Sequence, residues 1–129
     1  GAMVASGASV AWLQQSILKG EQSVEQLSKD AQDVAPGAEG LIFLPYMMGE
    51  RSPIWHTNAR GVFFGLSLTT TPAMMFRAVL EGTAFALAHN VEIGKAAGIK
   101  IDEIRSIENI IFVKKYYIKY APKTIGSSI

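Results

Sequence analysis

The stretch GLIFLPYMMGERSPIW, residues 40–55, places an apolar run directly before a polar one and decides how the chain is organised. Its first part, Leu41 to Leu44, is continuously apolar and is followed by Pro45, which is typical of a short strand buried on both faces. Its second part opens a polar segment, residues 48–61. Loops of this length inside a domain are uncommon unless they carry function, so this segment is the first candidate for a functional site.

Two amphipathic helices are predicted before this stretch. The first runs from about Ser6 to Lys19, where Gly20 supplies a C-terminal stop. The second begins at Ser23, because Ser23 and Gln26 match the pattern of a capping box. Its apolar stripe consists of Val24, Leu27, Ala31 and Val34.

A second strand and a long helix are predicted after the polar segment. Residues 61–68 alternate in character, with Val62, Phe64, Leu66 and Leu68 on one side, as in a strand. Thr71 is suited to cap the helix that follows, Pro72 fits its first turn, and Gly94 or Gly98 ends it. The inner face of this helix is predicted to be Phe76, Val79, Leu80, Thr83, Leu87 and Val91.

The order of these elements indicates an α/β fold that is incomplete at the C-terminus. Residues 110–113 and 116–118 have strand-like composition, and the lysines among them favour an edge or solvated strand. The 129 residues have the length of one ordinary domain. Gly1, Ala2 and Met3 match the remnant of a cleaved tag and are expected to lie outside the domain.

Composition bounds the classes of function. A hydrophobic content of 49%, a charged content of 18% and a net charge of +1 fit a globular domain and give no reason to expect nucleic acid or an anionic membrane as a partner. No stretch approaches the roughly 20 apolar residues that cross a bilayer. The chain has no cysteine, which excludes disulfide and thiolate chemistry and fits a cytoplasmic location.

The residues by themselves define no catalytic constellation. The sequence has no glycine-rich phosphate loop and no cluster with the spacing of metal ligands. His56 and His89 lie far apart, and His56 is expected to be a surface residue of the polar segment. Composition and periodicity therefore lead to an α/β domain with a conspicuous polar loop, and no further.

Three groups of residues, taken together, resemble the FGGY family of carbohydrate kinases. The stretch 40–55 is followed by NARGVFFGL at residues 58–66, and the helix segment RAVLEG occupies residues 77–82. Upstream, GASVAWL at residues 7–13 is similar to the helix opening at the family's nucleotide cleft. The resemblance covers about residues 5–106, with the groups in the family's order and at its separations.

This resemblance implies an actin-like ATPase fold of the ribonuclease H-like type, in which two α/β domains close on ATP and a sugar or sugar acid. The γ-phosphoryl group of ATP passes to a substrate hydroxyl with the help of Mg²⁺ and a carboxylate base. Residues 4–106 would belong to the second, nucleotide-side domain. The base and most sugar contacts belong to the first domain, so no catalytic or metal-binding residue is expected here and the fragment alone should be inactive.

The polar loop resembles xylulose and gluconate kinases more than glycerol kinases, and these two substrates stay open. The competing interpretation is a non-catalytic, kinase-like remnant that self-associates as a homo-oligomer. A partial domain exposes apolar faces that its missing neighbour would cover, which favours association of copies.

The resemblance implies roles for five residues of the polar segment, which are Gly49, Glu50, Arg51, Trp55 and Arg60. Gly49, Glu50 and Arg51 lie in a segment that the family places between its domains. Glu50 is expected to organise the loop, the alternative being a solvated ion pair with little energetic effect. Trp55 is expected to anchor the loop by packing, and Arg60 to bond to loop carbonyls.

Two positions outside the loop complete the expectations. Gly7 corresponds to a place where a helix start approaches the nucleotide, and its bare amides suit phosphate contact. The alternative for Gly7 is an ordinary N-terminal turn. Glu81 lies near the inner face of the long helix and is expected to accept hydrogen bonds from backbone or arginine, because a buried carboxylate without a partner is costly.

The sequence departs from the family at two places. Met74 stands where the family has a polar residue. After Ser106, residues 107–129 replace the family's glycine run and have no glycine before Gly126. This tail is interpreted as out-of-frame or truncated translation, with genuine protein as the alternative, and the loss of the glycine run predicts poor affinity of the fragment for ATP.

Overall fold

A computed structural model describes residues 6–101 of the chain. In this range helices and strands follow one another in the predicted order, so the mixed helix–strand class is confirmed. The tail after residue 106, with its strand-like runs, lies outside the described residues. The elements are α1 (Ser6–Trp12), α2 (Val24–Asp30), β1 (Ile42–Leu44), β2 (Val62–Phe64) and α3 (Pro72–Ala96).

The first helix changes its winding halfway along. After α1, Leu13–Ile17 form a π-helical turn, in which the Leu18 N–H donates to the Leu13 carbonyl five residues earlier, at 2.9 Å. The prediction of one α-helix as far as Lys19 is therefore wrong in its second half. Apolar residues spaced three and four apart are compatible with both an α-helix and a π-helical turn, so the spacing in the sequence does not distinguish the two. The helical segment ends at Ile17, and Gly20 follows with a φ of 68° while its N–H donates to the Gln14 carbonyl at 2.8 Å, so the predicted stop lies close to the observed end.

The cap of α2 forms only in part. The Ser23 hydroxyl accepts from the Gln26 backbone N–H at 3.1 Å, as predicted. The Gln26 side chain does not return to Ser23, because its amide donates to the Asp30 carboxylate at 2.7 Å. A bond to a charged acceptor is the stronger choice, so half of the predicted capping box is absent.

The two strands form an antiparallel ribbon with the register Ile42↔Phe64, Phe43↔Phe63 and Leu44↔Val62. On the inner side Phe43 is buried, and its ring lies 4.8 Å from that of Phe63. The prediction that β1 is buried on both faces is wrong, because α3 covers one side and no described element covers the other. The exposed side, the outer sheet face, consists of Ile42, Leu44, Val62 and Phe64.

β2 is shorter than predicted. It ends at Phe64 because Gly65 turns the chain with a φ of 93°. At Gly65 a side chain would lie 2.7 Å from the Gly40 carbonyl oxygen, so the backbone passes there too closely for any other residue. Leu66 and Leu68 therefore lie outside the strand and are exposed.

α3 begins and ends as the sequence indicates. The Thr71 hydroxyl accepts from the Met74 N–H at 3.2 Å, and the Met74 sulfur accepts from the Thr71 N–H at 3.4 Å. Met74 thus completes the cap despite its departure from the family pattern. No helix of the described part, α3 included, is both long enough and apolar enough to cross a bilayer. On the predicted inner face of α3, Leu87 is half-buried and the other five side chains are buried. These five are Phe76, Val79, Leu80, Thr83 and Val91.

A buried ion pair joins α3 to the segments before it. Arg77 is 2% exposed, and its Nε donates to Glu81 Oε1 at 2.7 Å. Arg77 Nη1 also donates to the carbonyl of Ala31, the C-cap residue directly after α2, at 3.1 Å. The Gly37 N–H donates to both Glu81 oxygens at 3.2 Å. The expectation that Glu81 accepts from arginine or backbone is therefore confirmed on both counts.

Close contact between α3 and β1 generates a stability prediction. An added Cβ at Gly82 would overlap the Phe43 carbonyl. We expect Gly82→Ala to destabilise the chain by about 1–3 kcal/mol, because helix and strand would have to separate. Urea unfolding of the 129-residue chain measures the loss.

Gly94→Ala, in the same helix, is the matched control. Its Cβ would lie 3.2 Å from the tip of the flexible Ile101 side chain, which can move aside. Alanine is also the better helix former by about 0.5–1 kcal/mol, so this variant should be neutral or stabilised. Equal losses in the two variants would contradict the close approach of α3 to β1.

Candidate functional site

The predicted polar segment folds into a closed loop, residues 49–60. The Glu50 and His56 backbones exchange N–H···O bonds of 3.1 and 3.0 Å, and the Gly49 N–H donates to the Ala59 carbonyl at 3.1 Å. His56 is exposed, as expected. These bonds join the two arms of the loop, so its shape is set from within.

Gly49 is required at the base of the loop. It adopts a φ of 78°, in the left-handed region where side chains are strained. A Cβ there would lie 2.6 Å from the Thr57 carbonyl oxygen. The two arms can therefore close only around a glycine.

Glu50 shapes the loop with a buried carboxylate. The residue is 3% exposed, and its Oε1 accepts from the backbone N–H of Arg51 at 2.7 Å and of Ser52 at 3.3 Å. Hydrogen bonds from two backbone amides compensate the cost of burying this charge. The carboxylate is therefore not part of a solvated ion pair. The geometry thus agrees with an organising role for Glu50, and Arg51 is left exposed beside it.

Trp55 does not anchor the loop, so that prediction is wrong. Its side chain is 83% exposed. The side chain that the loop buries is that of Glu50. Arg60 behaves as expected, since its Nη1 donates to the carbonyls of Thr57 at 3.1 Å and Ala59 at 2.7 Å.

Sequence reasoning missed the contact between the loop and α3. The Ser52 hydroxyl donates to Asn90 Oδ1 at 2.7 Å, and Asn90 Nδ2 donates to the Ser52 carbonyl at 3.1 Å. The two residues lie 38 positions apart, so no local pattern pairs them. One signal was available: asparagine is unfavourable inside a helix unless its side chain has a specific partner.

Tyr46 lies just before the polar segment, and its backbone carbonyl accepts from the Gly49 N–H at 3.3 Å. Burial of its phenol raises the pKa of Tyr46 above 10.0, and the negative charge of Glu50 raises it further. Both causes disfavour the phenolate. Tyr46 therefore stays protonated in a pH range in which an unfolded tyrosine ionises.

A groove of about 290 Å³ lies between β1 and α3, and Tyr46, Phe85 and His89 are among its lining residues. Most of the lining is apolar. Among the described lining residues the one carboxylate is Glu81, which is already bonded to Arg77 and to the Gly37 N–H. The groove therefore offers apolar contact rather than an uncompensated charge.

Gly7 lies apart from the loop, as the second residue of α1. It is exposed, and an added Cβ would meet nothing within 4 Å. α1 has only seven residues. The position is open to solvent, and its contact with a nucleotide stays a prediction.

The acidic and histidine side chains of the described residues are dispersed. Within residues 6–101, no three side chains of His, Cys, Asp or Glu are grouped so that they could hold a metal ion. The carboxylates that are most buried, Glu50 and Glu81, are committed to the hydrogen bonds given above.

The raised pKa of Tyr46 predicts an alkaline loss of stability. The folded-state pKa lies above the unfolded value, so the stabilisation is fully present below about pH 10 and is lost as the pH rises through the folded pKa. Tyr46→Phe should remove this dependence, and Glu50→Gln should lower the Tyr46 pKa. Urea unfolding at a series of pH values measures the first effect, and absorbance titration of phenolate measures the second.

The Tyr46→Phe variant also serves as the reference, because the chain has four tyrosines and the difference between the two titrations isolates Tyr46. A Tyr46 pKa at or below 10 would contradict its burial beside Glu50. An unchanged pKa in Glu50→Gln would show that the carboxylate charge does not reach the phenol.

Comparison with known proteins places these features in a family. Residues 1–107 match the FGGY family of carbohydrate kinases, C-terminal domain. The xylulose kinase of Staphylococcus xylosus is 36% identical over 107 residues, which cover 83% of this chain and 22% of that protein. The gluconokinase of Bacillus subtilis is 49% identical over 61 residues, which cover 47% of this chain and 12% of that protein.

A solved structure agrees with the sequence relatives. The crystal structure of xylulose kinase from Rhodospirillum rubrum matches with a TM-score of 0.68 and 39% identity, over 76% of this chain and 20% of that one. The chain thus spans about a fifth of the length of the xylulose kinases that it matches. Since the family match extends over residues 1–107, the chain belongs to the FGGY family of carbohydrate kinases, in the part that forms the C-terminal domain.

Proposed function

We propose that the chain forms part of the nucleotide-side domain of an ATP-dependent sugar kinase. The complete enzyme transfers the γ-phosphoryl group of ATP to a hydroxyl of xylulose or gluconate. The observation that carries this proposal is the family match over residues 1–107, whose relatives include a xylulose kinase 36% identical over 107 residues. The domain would have the actin-like ATPase fold of ribonuclease H-like type, which the described residues represent in part.

The loop 49–60 is the part of this domain that we assign to the face between domains. Phosphoryl transfer depends chiefly on positioning and on charge stabilisation, so a face that closes on the substrate needs a defined shape. Glu50 and Gly49 fix that shape from inside, while Arg51, Trp55 and Arg60 are exposed. These exposed side chains are available to a neighbouring domain.

ATP and Mg²⁺ belong to the complete enzyme in this proposal. Gly7 is the residue of the chain that we assign to nucleotide contact, since its surroundings are open. Mg²⁺ would be held in the complete enzyme chiefly by the phosphates of ATP and by one or two carboxylates. The catalytic base lies outside this chain, so the chain alone should be inactive, and we expect the complete enzyme to be cytoplasmic.

A hybrid kinase tests the proposal. Residues 6–101 replace the corresponding segment of the Rhodospirillum rubrum xylulose kinase, and phosphorylation of xylulose is followed by coupled release of ADP. We expect the hybrid kinase to be active and the 129-residue chain to show no turnover, because only the hybrid has both domains. A parallel exchange into the Bacillus subtilis gluconokinase should phosphorylate gluconate, since the sugar contacts come from the host.

Circular dichroism and thermal melting provide the control for folding. A hybrid kinase that folds like its host and has no activity would contradict the proposed function. Turnover by the 129-residue chain alone would contradict the assignment of the base to another domain.

The second candidate is a non-catalytic remnant that self-associates as a homo-oligomer. The exposed outer sheet face favours it, because Ile42, Leu44, Val62 and Phe64 place four apolar side chains on one side of the ribbon. In a complete kinase the same face would be covered by the rest of the protein. The hybrid kinase separates the two candidates, since a degenerate remnant would leave it inactive.

A further inference from the structure

We propose that Asn90 and Ser52 are positioning residues, which hold the loop 49–60 in the orientation that phosphoryl transfer requires. The proposal rests on the proposed function for its kinetic consequence, and on the geometry of the chain for the contact itself. Asn90 lies late in α3, and Ser52 lies in the loop next to Arg51. Two hydrogen bonds join them, one from the Ser52 hydroxyl to Asn90 Oδ1 and one from Asn90 Nδ2 to the Ser52 carbonyl. We call this pair of bonds the Ser52–Asn90 clamp.

The Asn90 amide is fully used in this contact. Its Oδ1 accepts from the Ser52 hydroxyl at 2.7 Å. Its Nδ2 donates to the Ser52 carbonyl at 3.1 Å and to the Ala86 carbonyl, one turn earlier in α3, at 3.1 Å. Both donors and the acceptor therefore have partners, and the side chain is bound to helix and loop at once.

The network permits one orientation of the amide. Turning the Asn90 side chain over would set its oxygen against two carbonyl oxygens, those of Ser52 and Ala86. It would also set the amide nitrogen against the Ser52 hydroxyl, and the two Nδ2 bonds to carbonyls would be lost. Because only the observed orientation satisfies all three contacts, Asn90 acts as a rigid link rather than as an adaptable surface group.

The clamp fixes the loop relative to the domain. The other hydrogen bonds of the loop in the described residues run within it or to Tyr46 just before it. They set the shape of the loop, but they do not set its angle to the helix. The Ser52–Asn90 clamp sets that angle by joining the loop to α3. The helix is fixed in turn to the segment after α2, because Arg77 is bonded to the Ala31 carbonyl.

Arg51 is the side chain whose placement depends most on the clamp. Its N–H is bonded to the Glu50 carboxylate on one side, and the next residue, Ser52, is bonded to Asn90 on the other. The backbone of Arg51 is therefore held at both ends while its guanidinium is exposed. We infer that loss of the clamp frees Arg51 and the exposed part of the loop to reorient.

Hydrogen exchange in the 129-residue chain tests the contact without reference to activity. Asn90→Asp keeps the size of the side chain but sets a carboxylate oxygen against the Ser52 carbonyl. The Arg51 and Ser52 amides should then exchange about tenfold faster, because the bond from Asn90 to the Ser52 carbonyl is lost and the two oxygens repel each other. Ser52→Ala removes the hydroxyl from the other partner and should act in the same direction.

Glu92→Gln is the matched control, because it swaps acid for amide at an exposed position of the same helix. It should leave exchange in the loop unchanged. Unchanged exchange in both Asn90→Asp and Ser52→Ala would overturn the clamp, whatever the activity of the hybrid kinase.

Kinetics of the hybrid kinase test the positioning role. We expect Asn90→Asp and Ser52→Ala to lower kcat about tenfold with little change in KM, because a misplaced loop impairs the transition state more than substrate binding. Ser52→Thr keeps the hydroxyl and should restore kcat. A purely structural contact would instead lower the amount of folded enzyme and leave the kcat of the folded fraction unchanged.

Two outcomes separate the claims. Faster exchange combined with an unaltered kcat would overturn the positioning role. Inactivity of the unsubstituted hybrid kinase would count against the proposed function, and hydrogen exchange in the 129-residue chain would still decide whether the clamp exists.

Discussion

The buried pair of Arg77 and Glu81 is the interaction on which the rest of the described structure depends. Two charges removed from water need partners for every remaining donor and acceptor, since their attraction alone barely offsets the cost of desolvation. Here Ala31 supplies a carbonyl to the guanidinium and Gly37 supplies an N–H to the carboxylate. The pair therefore requires α2 and the turn after it to stand in one place against α3.

The position of α3 then determines the position of the candidate site. Gly82 allows β1 to lie against the helix, and Asn90, about two turns later, holds the loop through its bonds to Ser52. The loop itself is closed by Gly49 and shaped by the Glu50 carboxylate. The chain thus contains a continuous series of contacts from a buried ion pair to a loop whose Arg51, Trp55 and Arg60 side chains are exposed. This arrangement is compatible with the proposed position of the loop between two domains.

The features that were predicted correctly from the sequence are those that depend on local patterns. Thr71 caps α3 and the inner face of that helix is buried, because both depend on residues within a few positions of one another. Glu81 was expected to have a partner because an unpaired buried carboxylate is costly. Exposure was predicted poorly, since Trp55 is exposed and β1 is covered on only one face. The burial of a side chain depends on which helix or strand packs against it, and a local pattern does not contain that information. The partner of Asn90 is 38 residues away in sequence, so only the fold reveals it.

A double-mutant cycle on Arg77 and Glu81, followed by urea unfolding, tests the central claim most directly. Arg77→Met and Glu81→Leu each leave one buried charge without its partner, so each should destabilise the chain by about 3–5 kcal/mol. The double variant should lose less than the sum, because it removes both charges together. Single variants within about 0.5 kcal/mol of the original chain, or losses that simply add, would contradict the dependence of the fold on this pair.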